Sequence, residues 1–166
     1  MKQTNVRKLV ITALLSTLGV LGGSLFSFSI GVAKVAPMQH LINVVSGVLV
    51  GPWYALAQAF ITSLIRNLFG TGTILAFPGS MIGAFMVGMV FKYTHKLWLA
   101  ALGELVGTGL IGALVAYPIA KLFLGTTGAL WLFVPSFLMS ALVGAIVAYS
   151  LLRVLWVSVI EPQLKR

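Results

Sequence analysis

The sequence predicts an all-α, polytopic membrane protein with six transmembrane helices. Three observations carry this reading. Only 8% of the 166 residues are charged and 60% are hydrophobic, whereas about a quarter of a soluble domain is charged. Apolar runs recur with almost no ionic interruption, and about 20 apolar residues suffice to cross the hydrocarbon core. Gly- and Pro-containing breaks divide these runs into six segments with short connections. A helix satisfies its own backbone in lipid, so each segment reads as a helix. Residues 1–166 form one transmembrane domain in this reading, with no space for a soluble catalytic domain.

The first helix runs from Val6 to Phe28, behind a basic stretch from Met1 to Lys8. A basic start also suits a signal peptide. No small-residue cleavage site follows, and Leu9 to Ile30 is long enough to span, so a retained first helix is expected. A loop with Gly31, Lys34 and Pro37 leads to the second helix, Met38 to Gly51. That helix is short for a full span and is expected to tilt or to be shielded by neighbours. Gly51-Pro52 is a tight break. The third helix runs from Trp53 to Asn67, and a Gly/Thr-rich loop follows, Gly70 to Ser80. The fourth runs from Gly79 to Tyr93. The fifth begins near Lys96 and is expected to weaken at Tyr117-Pro118, because proline removes a helical donor. Gly125, Thr126, Thr127 and Gly128 precede the sixth, Leu130 to Ile160.

Basic residues set the orientation. With six spans, both termini share a side with Lys92, Lys96 and Arg153, eight basic residues in all, against Lys34, Arg66 and Lys121 on the other. Positive charge favours the cytoplasm, so both termini are expected inside and loops 1, 3 and 5 outside. These outer loops hold the Gly, Thr, Pro and aromatic residues, so a ligand site is expected there. The net charge of +9 is scattered over the ends of apolar runs. This suits membrane orientation and contact with membrane lipid rather than nucleic acid.

Polar residues inside the spans are the candidates for chemistry. Glu104 is the sole acidic residue within them, about two turns into the fifth helix. It reads as a ligand contact, a proton or cation site, or an interhelical hydrogen bond. Gln58, Thr62 and Arg66 share one face of the third helix. Arg66 is placed to bind an anion, to pair with Glu104, or to snorkel to the headgroups. Asn67 stands at the mouth of the third loop. Gln39, His40 and Asn43 open the second helix, as ligand contacts or as caps. Phe77, Tyr117 and Trp131 fall near the outer boundary, where aromatic residues gather with or without a ligand. His95 reads as a solvated interface residue on the opposite side from His40, so no metal site is expected.

Small residues recur at four-residue spacing, which lets membrane helices approach closely. Examples are Ser136, Ser140, Gly144 and Ala148, then Ser80, Ala84 and Gly88, and on the first helix Ala13 and Thr17. Most must serve internal packing, and a stripe on the first helix is a candidate partner face. No Ser/His/Asp set, carboxylate pair or P-loop is present, so no enzymatic activity and no cofactor are expected in this chain.

Three stretches carry a family resemblance: VAKVAPMQHLINV (Val32 to Val44), GPWYALAQAFITSLIRNLFGTGTILAFPGSMIGA (Gly51 to Ala84) and LGELVGTGLIGALVAYPIAK (Leu102 to Lys121). The chain resembles the substrate-binding S components of energy-coupling-factor (ECF) vitamin transporters, most nearly the thiazole-associated ThiW family. The resemblance implies a multi-pass protein of a prokaryotic cell membrane that binds its solute from outside. It implies three partners, a transmembrane coupling subunit (EcfT-like) and two ATPases that use the ATP. The implied ligand is the thiamin precursor hydroxyethylthiazole, held by the outer loops and helix ends. Gln39, His40, Asn43, Arg66, Asn67, Phe77, Glu104, Tyr117 and Trp131 are the residues there to bind it. The family's alanine-x-x-x-alanine coupling pattern falls on Ala13 and Thr17, with threonine in the second place. The alternative function is an autonomous proton- or cation-coupled transporter working through Glu104.

Overall fold

The computed structural model describes residues 5–30, 33–125 and 133–156. Six helices run through them: α1 (Asn5–Leu25), α2 (Pro37–Val50), α3 (Pro52–Leu68), α4 (Ala76–Thr94), α5 (Leu97–Phe123) and α6 (Phe133–Leu155). Between α1 and α2 the chain forms a small antiparallel hairpin, β1 (Phe28–Ile30) with β2 (Ala33–Val35), in which Ser29 faces Lys34. Among the described residues the fold is all-α apart from this hairpin.

Four helices, α1, α4, α5 and α6, are long and apolar enough to cross a membrane. The polarity is inverted relative to a soluble protein. Large apolar side chains such as Leu18, Val147 and Leu151 are exposed, while Gln39, Asn43, Gln58, Thr62, Arg66 and Glu104 are buried. An exposed apolar surface around a polar centre is what a lipid solvent selects. The chain is a membrane protein.

The short α2 is the centre of the bundle and packs against all five other helices. Ten of its 14 residues are buried. At 1.5 Å per residue it spans only about 21 Å, so its first turn is recessed below the rim that longer neighbours define. Shielding by those neighbours is how a helix this short is accommodated.

The small-residue stripes explain how the helices approach. A Cβ on Gly144 of α6 would stand 2.5 Å from the Pro37 carbonyl oxygen of α2. A Cβ on Gly107 or Gly112 of α5 would stand 2.8 or 2.6 Å from the Cα of Gly83 or Gly79 on α4. Ser136, Ser140, Ala148, Ser80 and Ala84 are likewise buried. Ala13 and Thr17 are exposed on the face of α1 that points away from the bundle.

Several boundaries differ from the sequence expectation. The first helix stops at Leu25, before Phe28, because the chain turns there into the hairpin. The fourth starts at Ala76, three residues before Gly79. Pro118 does not weaken the fifth helix, which continues through it to Phe123. The irregularity lies earlier, in a π-helical stretch from Leu105 to Gly112. Neighbouring helices can offset the one donor that proline removes, whereas the close contacts of Gly107 and Gly112 hold the wider turns against α4. The sixth helix, expected from Leu130 to Ile160, is described from Phe133 to Leu155. Residues 130–132 and 157–160 of the expected helix, together with Thr126, Thr127 and Gly128, lie outside the described residues.

Candidate ligand-binding site

The first turn of α2 carries two polar side chains that diverge. Adjacent helix positions point about 100° apart, so Gln39 is directed at α3 and His40 at α5. Each starts a separate buried network. Pro37 sits in the first turn of α2, where no intrahelical donor is missed. The incoming backbone is anchored by the Ala36 N–H, which donates to Ser140 Oγ of α6 at 2.8 Å.

The first network is cationic. Gln39 Nε2 donates to Ser63 Oγ at 3.0 Å, and Gln39 Oε1 accepts from Arg66 Nη1. Arg66 Nη2 donates to the Thr71 carbonyl at 3.0 Å. Lys34 Nζ, on β2, donates to the same carbonyl at 2.6 Å. Arg66 is only 2% exposed, and a Cβ on Gly23 of α1 would stand 3.0 Å from its Nε. It neither reaches Glu104 nor snorkels. Asn67 Nδ2 donates to Ser63 O at 2.7 Å and to Thr73 O at 3.0 Å, which pins the loop that carries Thr71.

The second network is centred on Glu104. Its Oε1 lies 2.8 Å from His40 Nδ1 and accepts from Asn43 Nδ2 at 3.1 Å. Thr108 Oγ1 lies 2.9 Å from both Glu104 Oε1 and the Gly79 carbonyl, and its single proton serves one of them at a time. Asn43 also donates to the Ser80 carbonyl at 3.2 Å, and Ser80 Oγ returns a bond to Asn43 Oδ1. The His40–Glu104 contact joins the two ionisable side chains of this network. Glu104 has 0% exposure.

A small cavity of about 30 Å³ lies between the two networks. Its polar wall includes Lys34, Gln39, His40, Arg66, Ser80 and Ser140, and Leu75 and Phe137 supply apolar surface. That volume has room for about two waters, so a ring-sized ligand requires the loop from Phe69 to Leu75 to lift. The loop is built for close turns, with Gly70 at φ +69°.

Of the residues singled out in the sequence, Gln39, His40 and Arg66 come together on this wall. Asn43 and Glu104 lie behind it, holding His40. Asn67 holds the loop. Tyr117 packs edge-on against Phe133, ring centroids 6.2 Å apart, in the apolar cluster that backs Leu75 and Phe137. Phe77 packs against Phe60, centroids 5.8 Å apart, away from the cavity. Trp131 lies outside the described residues. Gln58 and Thr62 share Arg66's face as expected, and there they knit α3 to α1 through Ser16. Ser80, Phe137 and Ser140 were not expected as wall residues. The signal for Ser140 was present, since it lies on the small-residue stripe that faces α2.

The comparisons with known proteins complete the picture. No curated protein and no solved structure matches the chain. Residues 9–158 match a family described as the thiamine-precursor transporter protein ThiW. With the match covering most of its length, this chain belongs to the ThiW family of thiamine-precursor transporters.

Proposed function

We propose that this chain is the substrate-binding S component of an ATP-driven ECF importer, and that its ligand is the thiamin precursor hydroxyethylthiazole. The observation that carries the reading is the cavity between the Arg66 and Glu104 networks. It is closed over by one glycine-containing loop and lies at one end of the bundle in a transporter-family chain. All six helices then cross the bilayer, α2 and α3 doing so in the shelter of longer neighbours. Both termini are cytoplasmic. Lys8 and Lys92 lie together at the opposite end from Lys34 and Arg66, around the Gly51-Pro52 turn, in keeping with a cytoplasmic end rich in positive charge. The cavity therefore faces outward.

The thiazole is flat and asks for an apolar wall and a hydrogen-bond partner for its ring nitrogen. Phe137 and Leu75 offer the first, and His40, Ser80 and Ser140 the second. The chain hydrolyses nothing itself. Uptake needs a transmembrane coupling subunit docked on the exposed Ala13 and Thr17 face of α1, and two ATPases. Titration of the purified chain with hydroxyethylthiazole tests the binding step. A ligand at 100 times its Kd stabilises the folded state by about 2.7 kcal/mol, so the thermal midpoint should rise. No rise with any thiamin-related compound overturns the reading.

The buried His40–Glu104 pair favours a second reading, an autonomous proton-coupled carrier. Uptake by the chain alone in vesicles under a pH gradient supports that second reading, and dependence on co-reconstituted coupling subunit and ATPases supports the first.

A further inference from the structure

We propose that the cavity selects a thiazole whose two-carbon arm ends in an anion, a phosphate monoester or a carboxylate, which Lys34 and Arg66 hold together. This rests on the thiazole reading above and specifies the form of the ligand. The first support is a charge imbalance. The whole chain has two acidic residues. Glu104 is committed to His40, Asn43 and Thr108. Glu161 lies outside the described residues. Among the described residues, Lys34 and Arg66 meet only neutral acceptors, the Thr71 carbonyl and the Gln39 amide oxygen. A guanidinium only 2% exposed, with no acidic partner among the described residues, is costly to hold, and the ammonium of Lys34 stands part-buried beside it. Their persistence on a cavity wall is explained by a charge that arrives with the ligand.

The second support is convergence. Both head groups bond the same oxygen, Thr71 O, at 2.6 and 3.0 Å. They come from elements far apart in sequence, a hairpin strand and the last turn of α3. An anionic oxygen that replaced this carbonyl would take a point charge from Lys34 and a guanidinium donor from Arg66, both charge-assisted bonds. The exchange has a mechanical consequence. Thr71 belongs to the loop over the cavity, so an anion that takes its two cations releases that loop to reseat around the ligand. The first turns of α2 and α4 also border the cavity, through Gln39 and Ala76, and helix N-termini favour negative charge. A neutral alcohol would leave all of this unused.

The test uses the purified full chain and three probes: hydroxyethylthiazole, its phosphate monoester, and the analogue in which a carboxylate replaces the alcohol carbon. At least one anion should bind at least about tenfold tighter than the alcohol, and the tighter of the two identifies the anion. Lys34→Met should weaken the preferred anion at least about fivefold more than it weakens the alcohol, and so remove most of that preference. Lys34 lies on a half-buried hairpin, and thermal unfolding verifies that the variant folds. Lys34→Arg should restore part of the preference. Alcohol binding equal to or tighter than both anions overturns this inference and leaves the thiazole reading intact, as does an equal loss for all three probes in Lys34→Met. Failure of every probe to bind overturns both.

Discussion

His40 Nδ1 stands 2.8 Å from Glu104 Oε1, but only the histidine reaches the cavity wall. In the proposed reading, Glu104 acts on a ligand through the ring that it orients. The recessed first turn of α2 makes the pairing possible. Glu104 lies seven residues into α5, about 10 Å from that helix's start, and the short α2 brings His40 down to it.

Glu104→Gln should mainly lower stability. It alters a carboxyl group whose Oε1 three neighbours share, and unpairing a buried polar group costs about 1–3 kcal/mol. His40→Ala should instead weaken ligand binding by about 5- to 150-fold, the same energy expressed as affinity. Thermal unfolding and ligand titration of the two variants separate these effects. A Glu104→Gln protein of normal stability and lost affinity would place the carboxylate in direct contact with the ligand.

Asn67→Ala should act through the loop. Asn67 bonds Ser63 O and Thr73 O and has no place on the cavity wall. Faster amide hydrogen exchange at Thr71 and Gly72 is expected, with affinity falling less than in His40→Ala. Unchanged exchange in the variant would show that the loop is held by other bonds.

Gly144→Val tests the packing of α6 on α2. The new Cβ would meet backbone, the Pro37 carbonyl 2.5 Å away, and backbone cannot swing aside as a side chain can. Overpacking of this kind costs about 1–3 kcal/mol or more. The thermal midpoint should fall clearly, while Val147→Ala on the exposed face of the same helix should leave it nearly unchanged. Equal midpoints would contradict the close approach.

The hydrophobic pattern was enough to find six helices, because lipid imposes long apolar runs and Gly or Pro marks where they stop. The hairpin was not legible. Its strands are three residues each, too short to show alternation. The π stretch was not legible either, since Leu105 to Gly112 reads as ordinary apolar helix and the close approach of its glycines to α4 is a tertiary contact. At the site, spacing put Gln58, Thr62 and Arg66 on one face, and all three are buried. Spacing could not say that Arg66 would meet Gln39 instead of Glu104. That depends on how α2 is rotated between α3 and α5, which is a tertiary fact.

The face of α1 makes the prediction about partners. Ala13→Trp or Thr17→Trp should reduce co-purification with the coupling subunit and ATPases and leave ligand binding intact, because a close helix contact admits only small side chains. Both positions are exposed in the isolated chain, so neither change should harm its fold. Normal complex yield with both variants would exclude this face.

Orientation is open to labelling. A cysteine at His95 should react only from the cytoplasmic side and one at Phe69, which is 72% exposed, only from outside. The reverse pattern would invert the topology and turn the cavity inward.

The most direct test of the central claim is to compare thiazole binding by the unaltered chain with binding by a variant whose cavity is filled. Ala76 borders the cavity from the first turn of α4, and Ala76→Trp puts an indole into a space of about 30 Å³. Calorimetric titration with hydroxyethylthiazole and its phosphate should show saturable binding to the unaltered chain. The folded variant should show none. Undiminished affinity in Ala76→Trp would place the ligand somewhere other than between Lys34, Arg66 and His40.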